Sequence, residues 1–307
     1  MDSLRLFAAM VFAVSLFLLF EAWNKERAPQ PPALDQTARR PEASTPSPTL
    51  PPGVVAPVNS AAPVTAAAAE NGPPIVVRTD VVIAEIDPVG GTLRRIEFTQ
   101  HRDKLDNSRN FVLFQKDAAH TYVAQSGLIG DALPNHTTKY TAAAANYELR
   151  EGSDDLVVNL KASGTKDVGV TKTLTFRRGS YVVDETYQIS NRGATEITPF
   201  AYFQLVRDGT PAAGDSKMVP TYTGAAVYTD ESKFHKVAFS DIDKGKTDYP
   251  KHATDGWIAI VQHYFVAALL PSGQVAREFY TRALGGGLYT AGIIVPAGNI
   301  APGANAK

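Results

Sequence analysis

The alternation of apolar and polar positions divides the chain into three stretches of different texture. From Leu4 to Trp23 the sequence reads LRLFAAMVFAVSLFLLFEAW, with fifteen uncharged residues between Arg5 and Glu21. As a helix rising about 1.5 Å per residue, the segment is about 30 Å long, the thickness of bilayer hydrocarbon. Arg5 and Glu21 can carry their charges outward along their stems, and Trp23 suits the membrane interface. A cleaved export signal needs small residues at its exit. Here the run is followed by Glu21-Ala22-Trp23-Asn24-Lys25, bulky and charged, so residues 4–23 are predicted to be an uncleaved transmembrane helix. The flanking charges, Arg5 on one side and Lys25 and Arg27 on the other, leave its orientation open.

Residues 24–74 form the second stretch. Between Ala28 and Pro74 lie twelve prolines, eleven alanines and no aromatic residue, too little apolar surface to offset the entropy of ordering it. This predicts a disordered Pro/Ala-rich linker whose reach lies between about 40 Å as a random coil and roughly 145 Å fully extended. Its PxxP spacings lack convincing basic flanks, so it is read as a spacer and not as a ligand for a recognition domain.

From Ile75 to Lys307 the texture changes to short runs of β-branched and aromatic residues punctuated by Gly, Pro, Asn and Asp. Val81 to Ile86, the turn Asp87-Pro88-Val89-Gly90-Gly91 and Thr92 to Phe98 read as strand, turn, strand. Tyr181, Val183, Tyr187 and Ile189 share one face of a predicted strand, with Val182, Asp184, Thr186 and Gln188 on a mostly solvated second face. Further strands are predicted at Asn146 to Arg150, Leu156 to Ala162, Val168 to Arg177, Glu196 to Val206, Ala225 to Thr229, Phe234 to Phe239, Arg277 to Thr281 and Leu288 to Val295. The run Trp257 to Leu270 would be only about 21 Å long as a helix, too short to span a bilayer. It is read as two buried strands, Trp257 to Val261 and Tyr264 to Leu270. With no helical stripe longer than three turns, the region is predicted to be all-β, two large antiparallel sheets packed face to face.

Composition adds exclusions. With 30 basic and 31 acidic residues and no basic block, nucleic acid is not an expected partner. The absence of cysteine removes disulfides and thiol chemistry. The six histidines, His101, His120, His136, His235, His252 and His263, show neither HxH nor HExxH spacing, so no metal site is expected, and His263 is read as a hydrogen-bonded core residue. Ser126-Gly127 and Ser272-Gly273 read as turns without the GxSxG nucleophile pattern, and Asp154-Asp155 as solvated turn residues. Arg177-Arg178-Gly179 fits a tight turn as well as a lipid-headgroup contact. Trp257, Tyr264 and Phe265 could line a peptide cleft, though core packing is the expected role. No catalytic, cofactor-binding or metal-binding residue is assigned, no cofactor is expected, and the chain is not expected to be an enzyme.

The blocks TYTGAAVYTDESKFHKVAFSDID at Thr221 to Asp243 and GWIAIVQHYFVAALLP from Gly256 resemble the periplasmic domain of the YidC family of membrane protein insertases of Gram-negative bacteria. TKTLTFRRGSYVVDETYQISN at Thr171 to Asn191, TRALGGGLYTAGIIVP at Thr281 to Pro296 and the Glu-Ala-Trp exit of the anchor extend the resemblance over nearly the whole chain. The resemblance implies a cytoplasmic amino terminus, an inner-membrane location and a periplasmic domain over residues 75–307 folded as a twisted β-supersandwich. It implies as partners nascent inner-membrane proteins, Sec translocon subunits and the lipid bilayer, and as function assistance to membrane insertion and folding. In the family that work belongs to five later transmembrane helices with a polar groove. The sequence stops at Lys307, before them, so residues 75–307 are expected to be a C-terminally incomplete domain with an open pairing edge. An alternative reading is a membrane-anchored sugar-binding or epimerase-like module, because the implied supersandwich resembles aldose epimerases. That reading requires a histidine such as His235, His252 or His263 to meet a carboxylate in an open cleft.

Overall fold

The computed structural model describes residues 72–162, 167–211, 221–262 and 264–307. The predicted anchor over 4–23, the linker up to residue 71 and His263 lie outside them. Among the described residues no helix is long and apolar enough to cross a membrane.

The described chain is all-β. Its strands fall into three sheets, where the sequence pattern led to an expectation of two. The first has ten strands: β1 (Ile75–Arg78), β2 (Val82–Asp87), β3 (Thr92–Arg102), β4 (Asn110–Lys116), β5 (Thr121–Ile129), β7 (Asn146–Glu148), β11 (Phe200–Asp208), β14 (His252–Ala253), β17 (Arg277–Gly285) and β18 (Leu288–Pro296). Their order is β14, β17, β18, β11, β5, β4, β3, β2, β1, β7. The second sheet runs β19 (Asn305–Ala306), β10 (Val183–Asn191), β9 (Val168–Arg177), β8 (Asp155–Ala162), β6 (Tyr140–Ala142). The third runs β13 (Lys233–Ala238), β12 (Thr223–Thr229), β15 (Trp257–Gln262), β16 (Phe265–Leu269). All pairings are antiparallel except β1 with β7, which is parallel and sets Val76 opposite Asn146. The one described helix, α1 (Phe239–Asp243), is five residues long, has no side-chain cap, and buries Phe239 and Ile242.

Period-two alternation explains most of the burial. On β9, Val170, Lys172, Leu174 and Phe176 point inward, and β10 contributes Tyr187 and Ile189 to the same face. On β12 and β15 the pattern is different: Ala225, Ala226, Val227, Ile258, Ala259 and Ile260 are all fully buried, so these strands are covered on both faces. One hydrophobic cluster joins the sheets, combining Val77, Ile86 and Ile293 from the first with Leu160 and Leu174 from the second and Val227 and Ile258 from the third.

Two segments depart from the sequence reading. The strand expected to begin at Tyr181 begins at Val183, leaving Tyr181 and Val182 exposed before it. Ser126, expected in a turn, lies inside β5 with no exposed surface, because its hydroxyl is satisfied by partners from other strands.

The turn from β2 to β3 has a structural demand. Asp87 Oδ1 accepts the Val89 amide at 2.9 Å, and Gly90 and Gly91 follow with φ of 76° and 57°. A Cβ on Gly91 would sit 2.8 Å from Leu160 Cδ1, so glycine is required there for both conformation and space. The turn thereby presses its backbone carbonyls into the second sheet.

Candidate functional site

Two features stand out among the described residues. The first is a buried polar node between the ten-stranded and five-stranded sheets. Lys172, 1% exposed, projects from β9 and donates to Ser126 Oγ at 2.7 Å and Gly91 O at 2.9 Å, and pairs with Glu185 Oε1 at 3.1 Å. Ser126 Oγ also contacts Glu185 and lies 2.6 Å from the Tyr187 hydroxyl. Burial pushes the Lys172 ammonium below its ordinary pKa, and Glu185 opposes that shift. Burial and then Glu185 raise the Tyr187 and Tyr140 phenols. Close by, Tyr202 accepts the His136 amide at 3.0 Å and meets its Nδ1, while burial lowers the His136 pKa. The node ties the Gly90-Gly91 turn, β5, β9 and β10 together. Lys172, Ser126 and Glu185 in it are spent on one another and on the Gly91 carbonyl.

The second feature is a cleft of about 680 Å³ lined by residues of β3, β4, β5 and β11 together with Gln262 and Phe265. Tyr122 and Arg207 are both buried there, and the guanidinium lies 5.6 Å from the Tyr122 ring centre, donating to Gln262 Oε1 at 3.0 Å and Asp208 O at 2.7 Å. The loop from Asp103 to Arg109 forms part of the rim. In it Asp106, hydrogen-bonded by Ser108 and Arg109, has its pKa brought down to about 2. At one end the cleft meets a strip of rings. Phe111 and Phe265 are stacked at 3.7 Å, Phe98 lies 5.8 Å from Phe265, and Tyr181 lies 5.0 Å from Phe98 and 5.6 Å from His101. Leu105, Val182 and Tyr264 are exposed, as are Val266 and Leu270 on the face of β16 opposite Phe265. Phe98 is buried and Phe111 and Phe265 are half-buried, so these rings show only part of their surface to water.

The residues singled out in the sequence fall as follows. His235 Nε2 meets its own Ser232 carbonyl at 2.9 Å, and His252 is exposed in the two-residue β14, so neither faces a carboxylate in the cleft. The histidine that does is His120, which the sequence did not single out, with Nδ1 3.4 Å from Asp208 Oδ2. That carboxylate is engaged: Oδ2 takes the Thr121 amide and Oδ1 the Thr210 amide, each at 2.8 Å. Burial raises the Asp208 pKa, but these hydrogen bonds and Arg207 outweigh it and hold the group low. The carboxylate thereby fixes the strand ends at Thr121 and Asp208. Among the described residues no group of three or more His, Asp or Glu is placed to hold a metal.

Arg177 pairs with Asp155 at 3.6 Å and with Asp184, and Arg178 donates to Ser153 O at 3.0 Å and Arg150 O at 2.8 Å, so both serve the turn. Trp257 is half-buried, stacked 5.7 Å from Tyr228. Tyr264, expected in the core, is 77% exposed, because it occupies the turn between β15 and β16 and not a strand position. The sequence missed Lys172 and Glu185, although both stand at inward positions of their strands.

A model of the YidC periplasmic domain family matches residues 74–307. The membrane protein insertase YidC of Nitrosospira multiformis is 44% identical over 322 residues, covering 100% of this chain and 57% of that protein. That of Nitrosomonas europaea is 44% identical, covering 99% of this chain and 53% of that protein, and that of Aromatoleum aromaticum is 46% identical, covering 100% and 56%. The chain thus spans about half the length of these relatives. Among solved structures, a galactose mutarotase related enzyme from Lactobacillus acidophilus has a TM-score of 0.40 at 9% identity, over 76% of this chain and 94% of that one. A galactose mutarotase-like protein from Lactobacillus casei gives 0.40 and 9%, over 76% and 96%. A likeness so distant carries no argument about activity.

Proposed function

The chain belongs to the YidC periplasmic domain family, and from that premise we propose that it is the N-terminal and periplasmic part of a membrane protein insertase. In this reading it assists the insertion and folding of inner-membrane proteins, alone or beside the Sec translocon. The observation that carries it is identity of 44% to 46% along the whole chain to proteins each named a membrane protein insertase. Residues 4–23 anchor the chain in the inner membrane with the amino terminus in the cytoplasm, residues 24–74 are a flexible tether, and residues 75–307 are the periplasmic domain, its three sheets forming a twisted supersandwich. The role is one of contact and not of bond chemistry. The polar node braces the sheets, and the partly exposed aromatic strip with its cleft and the exposed side chains of Leu105 and Val182 offer apolar surface to partner segments.

Two measurements test the reading. Alkaline phosphatase fused after Lys307 is expected to be active, as on the periplasmic side, and an inactive fusion overturns the orientation. A photocrosslinker at exposed Leu105 or Val182, in inner-membrane vesicles carrying nascent inner-membrane proteins, is expected to capture those chains or Sec subunits. Capture of neither overturns the insertase role.

A further inference from the structure

We propose that the outer edge of β16 accepts an extended, largely apolar segment of a partner protein as an added strand. Among the described residues β16 closes the four-stranded sheet and pairs only with β15, in an unbroken register from Ile258 opposite Leu269 to Gln262 opposite Phe265. Its far side therefore presents a row of backbone donors and acceptors, which only another extended backbone can satisfy in series.

This edge lacks the usual defences. Phe265–Leu269 reads FVAAL, flanked by Tyr264 and Leu270, with no charge, proline or bulge. The opposite edge of the same sheet, β13, carries Lys233, His235 and Lys236. The terminal strands of the other two sheets, β14, β7, β19 and β6, are two or three residues long. Proteins normally protect long apolar edges against pairing, and among the described terminal strands β16 is the exception.

The surroundings fit the side chains of an added strand. Beside the edge lie the stacked Phe111 and Phe265 and, beyond them, Phe98, His101 and Tyr181. Val266 is 54% exposed, Leu270 66% and Val182 60%. Phe265 and Leu269 turn toward the core while Val266 and Leu270 alternate onto the opposite, exposed face of β16, so a segment with apolar residues at alternate positions could pair with the edge and lay those residues against Val266 and Leu270. A second copy of this chain fits less well. Two β16 strands meeting edge to edge share about 17 Å of ladder at roughly 3.4 Å per residue, a short contact against the roughly 1,200 Å² that a stable interface buries. A flexible segment can continue past the strand onto the strip, which adds the missing area.

The insertase reading enters only as the source of the segment. The test uses the full chain in lipid nanodiscs and a fluorescent eight-residue peptide of alternating valine and threonine with a lysine at each end. Saturable binding is expected by anisotropy, with slower amide exchange at residues 265–269. Val266→Lys and Leu270→Lys, both at exposed positions, are each expected to weaken binding at least tenfold with an unchanged melting temperature. Phe234→Lys on β13 is expected to leave it unaltered. No binding, binding indifferent to both edge variants, or a concentration-dependent dimer abolished by Val266→Lys overturns the proposal, the last in favour of a second copy. Client crosslinking that persists in Val266→Lys likewise overturns the edge and leaves the insertase reading intact. Peptide binding that depends on Val266 without any client crosslinking supports the edge and removes that reading.

Discussion

Lys172 and Glu185 show how far single residues could be read in advance. Strand parity puts Lys172 between Val170 and Leu174, and Glu185 between Val183 and Tyr187, both on inward faces. That much is in the sequence. What makes the burial tolerable comes from β5 and the Gly90-Gly91 turn, at distances of 46 and 81 residues along the chain, and no local pattern announces it. Removing one member of a buried pair strands the other. Lys172→Met is expected to destabilise the fold by about 3 kcal/mol, the low end for such pairs because the Glu185 side chain is 19% exposed, and Glu185→Leu added to it is expected to recover part of the loss. Urea unfolding of the two variants measures both.

His136 offers a pH test. Burial depresses its pKa in the folded state, so the unfolded chain takes up the proton first. Stability from this group is present above the unfolded value near 6.5, declines as pH falls below it, and is lost below the folded value. The free-energy difference between wild type and His136→Gln is therefore expected to shrink from pH 7.5 to pH 5. A difference that grows on acidification contradicts the assignment.

Among the elements, β9 was legible in its bounds, since only Lys172 interrupts the alternation of apolar and polar positions from Val168 to Arg177. β15 was legible for the opposite reason, a continuous apolar run that only a strand covered on both faces explains. β4 and β5 escaped notice, although they sit in the middle of the largest sheet. In β5 the run is interrupted by Gln125, Ser126 and Gly127, each there for a tertiary reason. Gln125 accepts from Gln204 at 2.9 Å, Ser126 serves Lys172, and a Cβ on Gly127 would lie 2.6 Å from the Tyr202 hydroxyl oxygen. The double cover of β15 has a measurable cost of disruption. Ile260→Ala is expected to remove about 2–5 kcal/mol, read as a lower urea midpoint at unchanged m-value.

For the whole molecule, the all-β class followed from the strand spacing, but the number of sheets did not. β10 and β11 are neighbours in sequence yet belong to different sheets, and nothing in their alternation marks the change. The same is true of the aromatic strip, assembled from β3, β4, β16 and the turn before β10. Because one apolar cluster contains residues of all three sheets, no sheet can detach without exposing the others' buried face. Residues 75–307 are expected to unfold in a single transition, with Trp257 fluorescence and far-ultraviolet circular dichroism giving one midpoint. Two separated midpoints show that the shared core is not cooperative.

The placement of β1 has a mechanical consequence. The preceding chain enters the described fold through this strand, which is held on one side by β2 and on the other by β7, with Val76 N bonded to Ala145 O at 2.8 Å and Leu149 N to Arg78 O at 2.9 Å. Tension arriving along residues 72–74 pulls β1 lengthwise between its neighbours, loading both ladders in shear, so their bonds resist together instead of opening one after another. A fold entered through an unpaired end strand would peel; this one has to be torn.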